Sequence, residues 1–516
     1  MMKKIILVVS IIMIGVLLLL GEFKQTTFLG AKVISSESFY DKTIGMTEVD
    51  NQIAGLVRFE DSGLVYDAGL DEYYITTSAK NSSRFIADTG VDIFFLDLES
   101  NPTDLVMQNK TFQCGLIFKN TFELINLKIT TLPILDFIVP HEDADIFFKL
   151  GQLRIIDSYD EKKKRQIQNT YQIQYKLRGA STLAYPKKPY RFEILDDSMN
   201  EKKISLLGMR ADDDWNLTPH LYEKSKIREM VCFDILKDVS KQAKNNSILV
   251  QNGRFCEVFI NSQYIGLYQL TEAMDAKKID ISKQEDVMYE IGDKHYPSSD
   301  ELRKLQKENE ETNYSPIRVE AFPSNWQEKR FEPIITYIEE VLENSELDYE
   351  ELNKIVDMEN FVDTAIFRLL INAQDNEIKN AKYVFRNLND EPKLFKYYFD
   401  FNYTFGDVWN PYAFDVIERV EAPQFMMHDN ISDLLERSPA FYNFFVERYE
   451  ILRSDSLSLG NIASIIEKHY MKLLESGVYF REFDKWQVMN DHQAEVRRIY
   501  DFVEEQINYY DKFFIE

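Results

Sequence analysis

The chain has 516 residues and carries 60 basic against 86 acidic side chains, a formal charge of −26. This balance argues against nucleic acid as a partner, since phosphate backbones require clustered Lys and Arg. Hydrophobic residues at 45% and charged ones at 28% exclude wholesale disorder and suit a chain of about three packed domains.

At the amino terminus, Lys3-Lys4 precedes sixteen uncharged residues, Ile5 to Leu20. As a helix that run covers about 24 Å, slightly less than a hydrocarbon core of about 30 Å. Two lysines followed by an apolar run form an export signal, and no A-x-A-like cleavage site follows. Residues 1–23 read as an uncleaved signal anchor, with a cleaved signal peptide as the alternative. Lys3 and Lys4 then stay cytoplasmic and the remaining chain lies outside, membrane-anchored or secreted.

Residues 24–50 mix Gly, Ser, Thr and Lys and read as a stalk. Short alternating runs follow over 51–125: Gly55-Leu56-Val57-Arg58-Phe59, Val91-Asp92-Ile93-Phe94-Phe95-Leu96 and Cys114-Gly115-Leu116-Ile117-Phe118. Their period of two predicts a β-rich domain. Glu161-Lys162-Lys163-Lys164-Arg165 is a short basic cluster and reads as a solvated loop. Tyr171 to Leu177 alternates as a half-buried strand, runs into the small-residue turn Arg178-Gly179-Ala180-Ser181-Thr182, and is followed by a second strand from Lys188 to Ile194. Parity puts Lys188 on the face of Tyr190, Phe192 and Ile194, at a core edge or pointing into a cleft. Lys226 to Val239 has helical periodicity, and Glu257–Ile260 with Tyr264–Leu270 predicts a hairpin.

The stretch 298–330 is charged, lacks clear periodicity, and reads as an insertion. Beyond it helices are predicted over Pro333–Glu343, Met358–Ala373, Ile431–Arg437, Tyr442–Arg453, Ile462–Leu474 and Gln493–Phe514. The three cysteines, Cys114, Cys232 and Cys256, read as buried apolar positions, with a Cys232–Cys256 pair open to an exported chain. Six histidines without HExxH or HxH spacing argue against zinc.

The chemistry is concentrated after the helix ending near Ala373. Asp375 and Asn380 stand five positions apart. Strands around a turn at Asn389-Asp390-Glu391-Pro392 follow, and the second ends in Asp400-Phe401-Asn402-Tyr403-Thr404-Phe405-Gly406. Protein kinases use that order: an Asp accepts the substrate hydroxyl proton, an Asn five residues later holds metal, and a downstream Asp binds the metals on the nucleotide phosphates. Hard oxygens of this kind suit Mg²⁺ or Mn²⁺. An upstream lysine such as Lys188 completes the frame. Singly these residues are ordinary, since loop Asp residues usually cap turns and an edge lysine can snorkel. The order Lys188, Asp375, Asn380, Asp400 is what gives them weight.

Arg178-Gly179-Ala180-Ser181-Thr182 with Pro186 to Arg191 resembles the signature of the spore coat protein H (CotH) kinase family. Leu206-Leu207-Gly208-Met209, Ala211-Asp212-Asp213-Asp214-Trp215, Lys224-Ser225-Lys226-Ile227-Arg228, Val258 to Asn261, Tyr264 to Tyr268 and Leu270-Thr271-Glu272 extend it, and Asp375 to Asn380 and Phe399 to Gly406 end it. The resemblance implies an α+β fold with an atypical protein-kinase-like two-lobed core over 126–435, between the β-rich front and a helical extension at 436–516. It implies ATP as phosphoryl donor, Mg or Mn as cofactor, and Ser of a coat or cell-surface protein as acceptor. By the same resemblance Arg178 sits over the phosphates, Lys188 contacts them, and Glu272 lies near the nucleotide. Asp375 is then the catalytic base, with Asn380, Asp400 and Asn402 at the metal. Two positions depart from the family: Ala180 stands where Asn is usual, and Asn402 where a second Asp is frequent. Asn402 offers one carbonyl oxygen and removes a negative charge. A non-catalytic pseudokinase of a coat or surface is the alternative, and a glycosidase with paired carboxylates a third reading.

Overall fold

The computed structural model describes residues 27–515 apart from 60–61, 78–84, 88–89, 99–100, 141–144, 161–164, 180, 244–246, 283, 293–294, 309–315, 377, 389–390, 409–417, 425–430 and 489–490. The apolar run Ile5–Leu20, the lysines of the basic cluster, Ala180 and the Asn389-Asp390 turn lie outside the described residues. Among those described, no helix is long and apolar enough to cross a membrane.

The front of the chain forms an eight-stranded sheet. Its order is Thr27–Phe28, Ala31–Ile34, Val91–Leu96, Phe112–Phe118, Thr121–Thr130, Glu72–Thr76 and Val65–Asp67, with Thr47–Glu48 beside Thr121–Thr130. Residues 27–50 are thus no stalk. Ala31–Ile34 pairs with Val91–Leu96, and Phe39 of the helix Ser36–Thr43 is fully buried against Phe94 and Phe122. The polar composition concealed one large aromatic placed to pack.

Seven strands then close a barrel. They are β1 (Ile134–Ile138), β2 (Lys149–Asp160), β3 (Arg165–Leu177), β4 (Tyr190–Leu195), β5 (Asp214–Thr218), β6 (Gly253–Ile260) and β7 (Gln263–Glu272), in the spatial order β1-β2-β3-β4-β5-β7-β6. Neighbours are antiparallel except the closing pair, where Ile134 of β1 lies opposite Glu257 of β6 in parallel register. Alternation sends Ile173, Tyr175, Phe192, Ile194, Trp215, Leu217, Val258 and Leu270 into one interior core. It sends Gln174, Arg191, Glu193 and Asp214 to the outer face.

Behind the barrel, β8 (Val287–Ile291), β9 (Ile317–Ala321), β10 (Ala381–Leu388) and β11 (Glu391–Tyr398) form an antiparallel sheet ordered β9-β8-β10-β11. The stretch expected as an insertion supplies part of it: a helix at Ser299–Glu308 buries Leu302, and β9 buries Ile317 and Val319. Two apolar residues per element gave too weak a period to stand out.

The largest core belongs to helices α1 (Arg228–Ser240), α2 (Met358–Ile371), α3 (Pro439–Ser454), α4 (Leu459–Ser476), α5 (Val478–Trp486) and α6 (His492–Phe514). Val231, Ile235, Ile366, Leu370, Phe445, Ile466 and Phe502 share it. Each such side chain contributes about 1.5–3 kcal/mol by leaving water. The helices beyond residue 436 therefore brace α1 and α2 within one core. All three cysteines are buried and free, so Cys232 and Cys256 are not paired.

Candidate active site

Helix α2 is buried on nearly every face, which fixes its ends. Asp357 caps its start by accepting from the Asn360 N–H, and Asn372 ends it in the left-handed region at φ 53°. The chain then turns through Gln374–Asn376, which carries Asp375. Two hydrogen bonds join this turn to the end of β11. The Asn376 amide donates to the Phe399 carbonyl at 2.7 Å, and the Phe399 N–H donates to the Asn380 carbonyl at 3.0 Å. Asp375 and Asp400, 25 positions apart, are thereby held side by side.

Around Asp375, Asn380 donates Nδ2 to Oδ2 at 3.0 Å, and the Lys379 ammonium lies 2.8 Å from Oδ1. Around Asp400, itself left-handed at φ 62°, Asn402 donates Nδ2 to Oδ1. The loop after Asp400 is tied down where the Phe405 N–H donates to the Ile371 carbonyl at 2.6 Å. Asp400 keeps an exposed surface, yet protein crowds it from several sides. Burial, then Glu229 and Asp375, push its carboxyl up to about 6 against the pull of Arg178 and His220. Burial among neighbouring protein is the larger cause, and the two facing carboxylates add to it.

Arg178 follows β3 on the outer-face parity and faces Asp400. Burial draws its guanidinium down, while Asp400 and Glu229 oppose that shift. Gly179, at φ 94°, lets the chain double back, and a Cβ there would overlap Thr182 Oγ1. The returning turn brings Tyr185 onto Tyr403, whose hydroxyl is pushed up by burial and by Tyr185. Tyr185 thus ties the segment after Gly179 to Tyr403 of the Asp400 loop.

Two further sequence-named residues are engaged with protein. The Lys188 ammonium donates to the Leu183 carbonyl at 2.7 Å. Its neighbour Lys187 is fully buried, 2.5 Å from Glu482 Oε1 on α5, and burial pulls its ammonium down to about 8. Glu272 is fully buried at the end of β7, taking the Lys278 ammonium at 2.7 Å and the Asn252 N–H at 3.0 Å. The structure therefore gathers Arg178, Asp375, Asn380, Asp400 and Asn402, while Lys188 and Glu272 are bonded to other protein groups.

Sequence reasoning missed His220 and Glu229. Glu229 lies in the first turn of α1, and His220 Nε2 lies 2.9 Å from its Oε2 with both residues buried. The available signal was an acid directly after the Lys224–Arg228 motif, at the head of an apolar helix. Arg191 was also passed over. Its guanidinium donates to both Asp214 oxygens, at 2.8 and 2.6 Å.

The donor set fits a hard divalent cation. Asp375 and Asp400 offer carboxylates, Asn380 and Asn402 offer amide oxygens, and Asn402 Oδ1 is buried without a hydrogen-bond partner among the described residues. Among those residues no group of three or more His, Cys, Asp or Glu is arranged to hold a metal. The set therefore suits an ion that takes one or two carboxylates and completes its shell from water and phosphate, as Mg²⁺ does.

The described chain is a mixed α and β protein in which a carboxylate pair is flanked by amides and an arginine faces Asp400. The family model described as CotH kinase protein matches residues 175–510, from β3 through α6. The chain belongs to the CotH kinase family and is a kinase-like protein. No curated protein matches the chain.

Proposed function

We propose that this protein is an ATP-dependent protein kinase, with a two-lobed core of barrel and helical body, that phosphorylates Ser in a coat or cell-surface protein. The observation carrying this reading is the junction of Asp375 with Asp400, with Asn380 bonded to the first at 3.0 Å and Arg178 facing the second. Asp375 accepts the serine hydroxyl proton as that oxygen attacks the γ-phosphorus and ADP leaves. Asn380 fixes the rotamer of Asp375, and Arg178 holds the phosphates. Asp400, Asn380 and Asn402 are the residues that would hold Mg²⁺ or Mn²⁺. The ion, when bound, offsets charge on the phosphoryl oxygens. Lys188 joins the phosphates by exchanging the Leu183 carbonyl for a phosphate oxygen, and Glu272 stays nearby as a structural anion. The apolar run after Lys3-Lys4 supports placement at a membrane with the kinase-family domain outside, in a compartment supplied with ATP.

The test is transfer of radioactive γ-phosphate from ATP to the purified protein itself or to a Ser-rich acceptor. Asp375→Ala and Asp400→Ala should each abolish labelling, and undiminished labelling in either overturns the assignment.

One observation favours a second reading. Lys188 and Glu272 are already bonded to protein, and Asn402 carries no charge, as in a non-catalytic coat or surface protein. Under that reading ATP with Mn²⁺ leaves the melting temperature unchanged, because only a bound ligand raises it by mass action.

A further inference from the structure

The last residue of the Lys224–Arg228 motif, Arg228, is fully buried at the head of α1, and its guanidinium meets three separate segments. Nη1 pairs with Glu223 in the preceding loop and lies 3.3 Å from Ser225 Oγ. Nε donates to the Thr404 carbonyl at 3.2 Å. Nη2 stands 3.0 Å from Asp407 Oδ2 and 3.8 Å from Glu495 Oε2 on α6. Thr404 and Asp407 belong to the stretch that begins at Asp400. One cation thus grips that stretch at two points, while its neighbour Glu229 faces Asp400 itself.

Other anchors complete the hub: Arg498 pairs with Asp407, and Arg419 with Glu495. A planar guanidinium serves several acceptors at once in fixed directions, which an ammonium cannot. Bonds of this kind to groups behind a cation site set the orientation of the groups in front.

We infer that Arg228 is a positioning residue: it holds the Asp400–Asp407 stretch in the shape in which Asp400 and Asn402 turn their oxygens to a divalent cation. The inference rests on the kinase reading for its ligand, and its geometry stands apart from that reading.

The test uses the full chain with Arg228→Lys and, separately, Asp407→Asn, which breaks the same contact from the loop side. The first readout is the Mn²⁺ concentration giving half of the ATP-dependent rise in melting temperature. It should increase about tenfold in both variants, the range for residues that orient metal-binding groups. The double variant should add little to either single one. The second readout, amide hydrogen exchange of the peptide 399–408 without ligand, should quicken in both. A purely structural role would lower the melting temperature while leaving the Mn²⁺ midpoint and the local exchange as in the parent, and that result overturns the inference. If Arg228→Lys fails to fold, Asp407→Asn carries both readouts. If the parent ignores ATP and Mn²⁺ while the variants still show the faster exchange, the kinase reading is removed and Arg228 remains the residue that shapes the loop.

Discussion

The ammonium of Lys187 lies 2.5 Å from the carboxylate of Glu482, 295 positions further along the chain. Both groups are buried, and the same carboxylate accepts the Leu267 N–H at 2.9 Å while Lys187 donates to the Leu267 carbonyl. Helix α5 thereby fastens the segment carrying Lys188 onto strand β7. Gly266 keeps the space open: at φ 107° it has no side chain, and a Cβ would lie 2.5 Å from Glu482 Oε2 and 2.9 Å from Trp486 Nε1.

Removing one half of that pair strands a buried charge. Glu482→Leu should lower stability by about 3–5 kcal/mol, read from urea or thermal unfolding. The double variant Lys187→Met with Glu482→Leu should recover most of the loss. A single variant as stable as the parent would show that the pair carries little.

Asp400 makes the fold pH-dependent in a stated direction. Its carboxyl titrates at about 6 in the folded chain, against about 3.9 for an ordinary aspartate. Between those values the folded state keeps a proton that the unfolded chain has lost, so stability drawn from this group is complete below the lower value. It is lost as pH rises through the higher one. Unfolding of the parent compared with Asp400→Asn should show a stability difference that changes between about pH 4 and 6 and is flat above.

Asn402→Asp would restore a charge and remove the amide donor to Asp400. A third carboxylate beside Asp375 and Asp400 should destabilise the ligand-free protein and lower the Mn²⁺ needed for the nucleotide-dependent thermal rise several-fold. An unchanged Mn²⁺ requirement would place Asn402 outside the cation's shell.

Asn380→Ala frees the Asp375 carboxylate from its partner at 3.0 Å. Under the kinase assignment this should reduce kcat by about 100-fold, the lower end for a misplaced general base, with a smaller change in melting temperature. Labelling kinetics and a melt on the same samples check both.

Much of this was legible because the signals are local. Period two in Tyr171–Leu177 and helical spacing in Ile431–Arg437 match β3 and a helix observed over those residues. The order Asp375, Asn380, Asp400 was readable because a helix end and a hairpin bring them together over a short span. Partners that meet only through folding were hidden. His220 and Glu229 are nine positions apart and reach Asp400 only once α1 packs on the helical core. Parity gave the face of Lys188 but not its acceptor, since Leu183 approaches by a turn that no periodicity announces. Pro333–Glu343 was readable as one helix, whereas its widening into a π turn at Ile338–Glu343 left no mark in the spacing. The polar look of 27–50 and 298–330 misled because few apolar residues anchor each element.

The closing register of Ile134 with Glu257 sets a limit on trimming. The family match opens at residue 175, within β3, yet the ring is completed by β1, β2 and most of β3, which precede it. A piece cut at 175 would leave β4 and β6 with raw edges and bare the greasy lining that Leu135, Phe137, Leu153 and Ile155 now cover. Any shortened version meant to stay soluble has to begin ahead of Ile134.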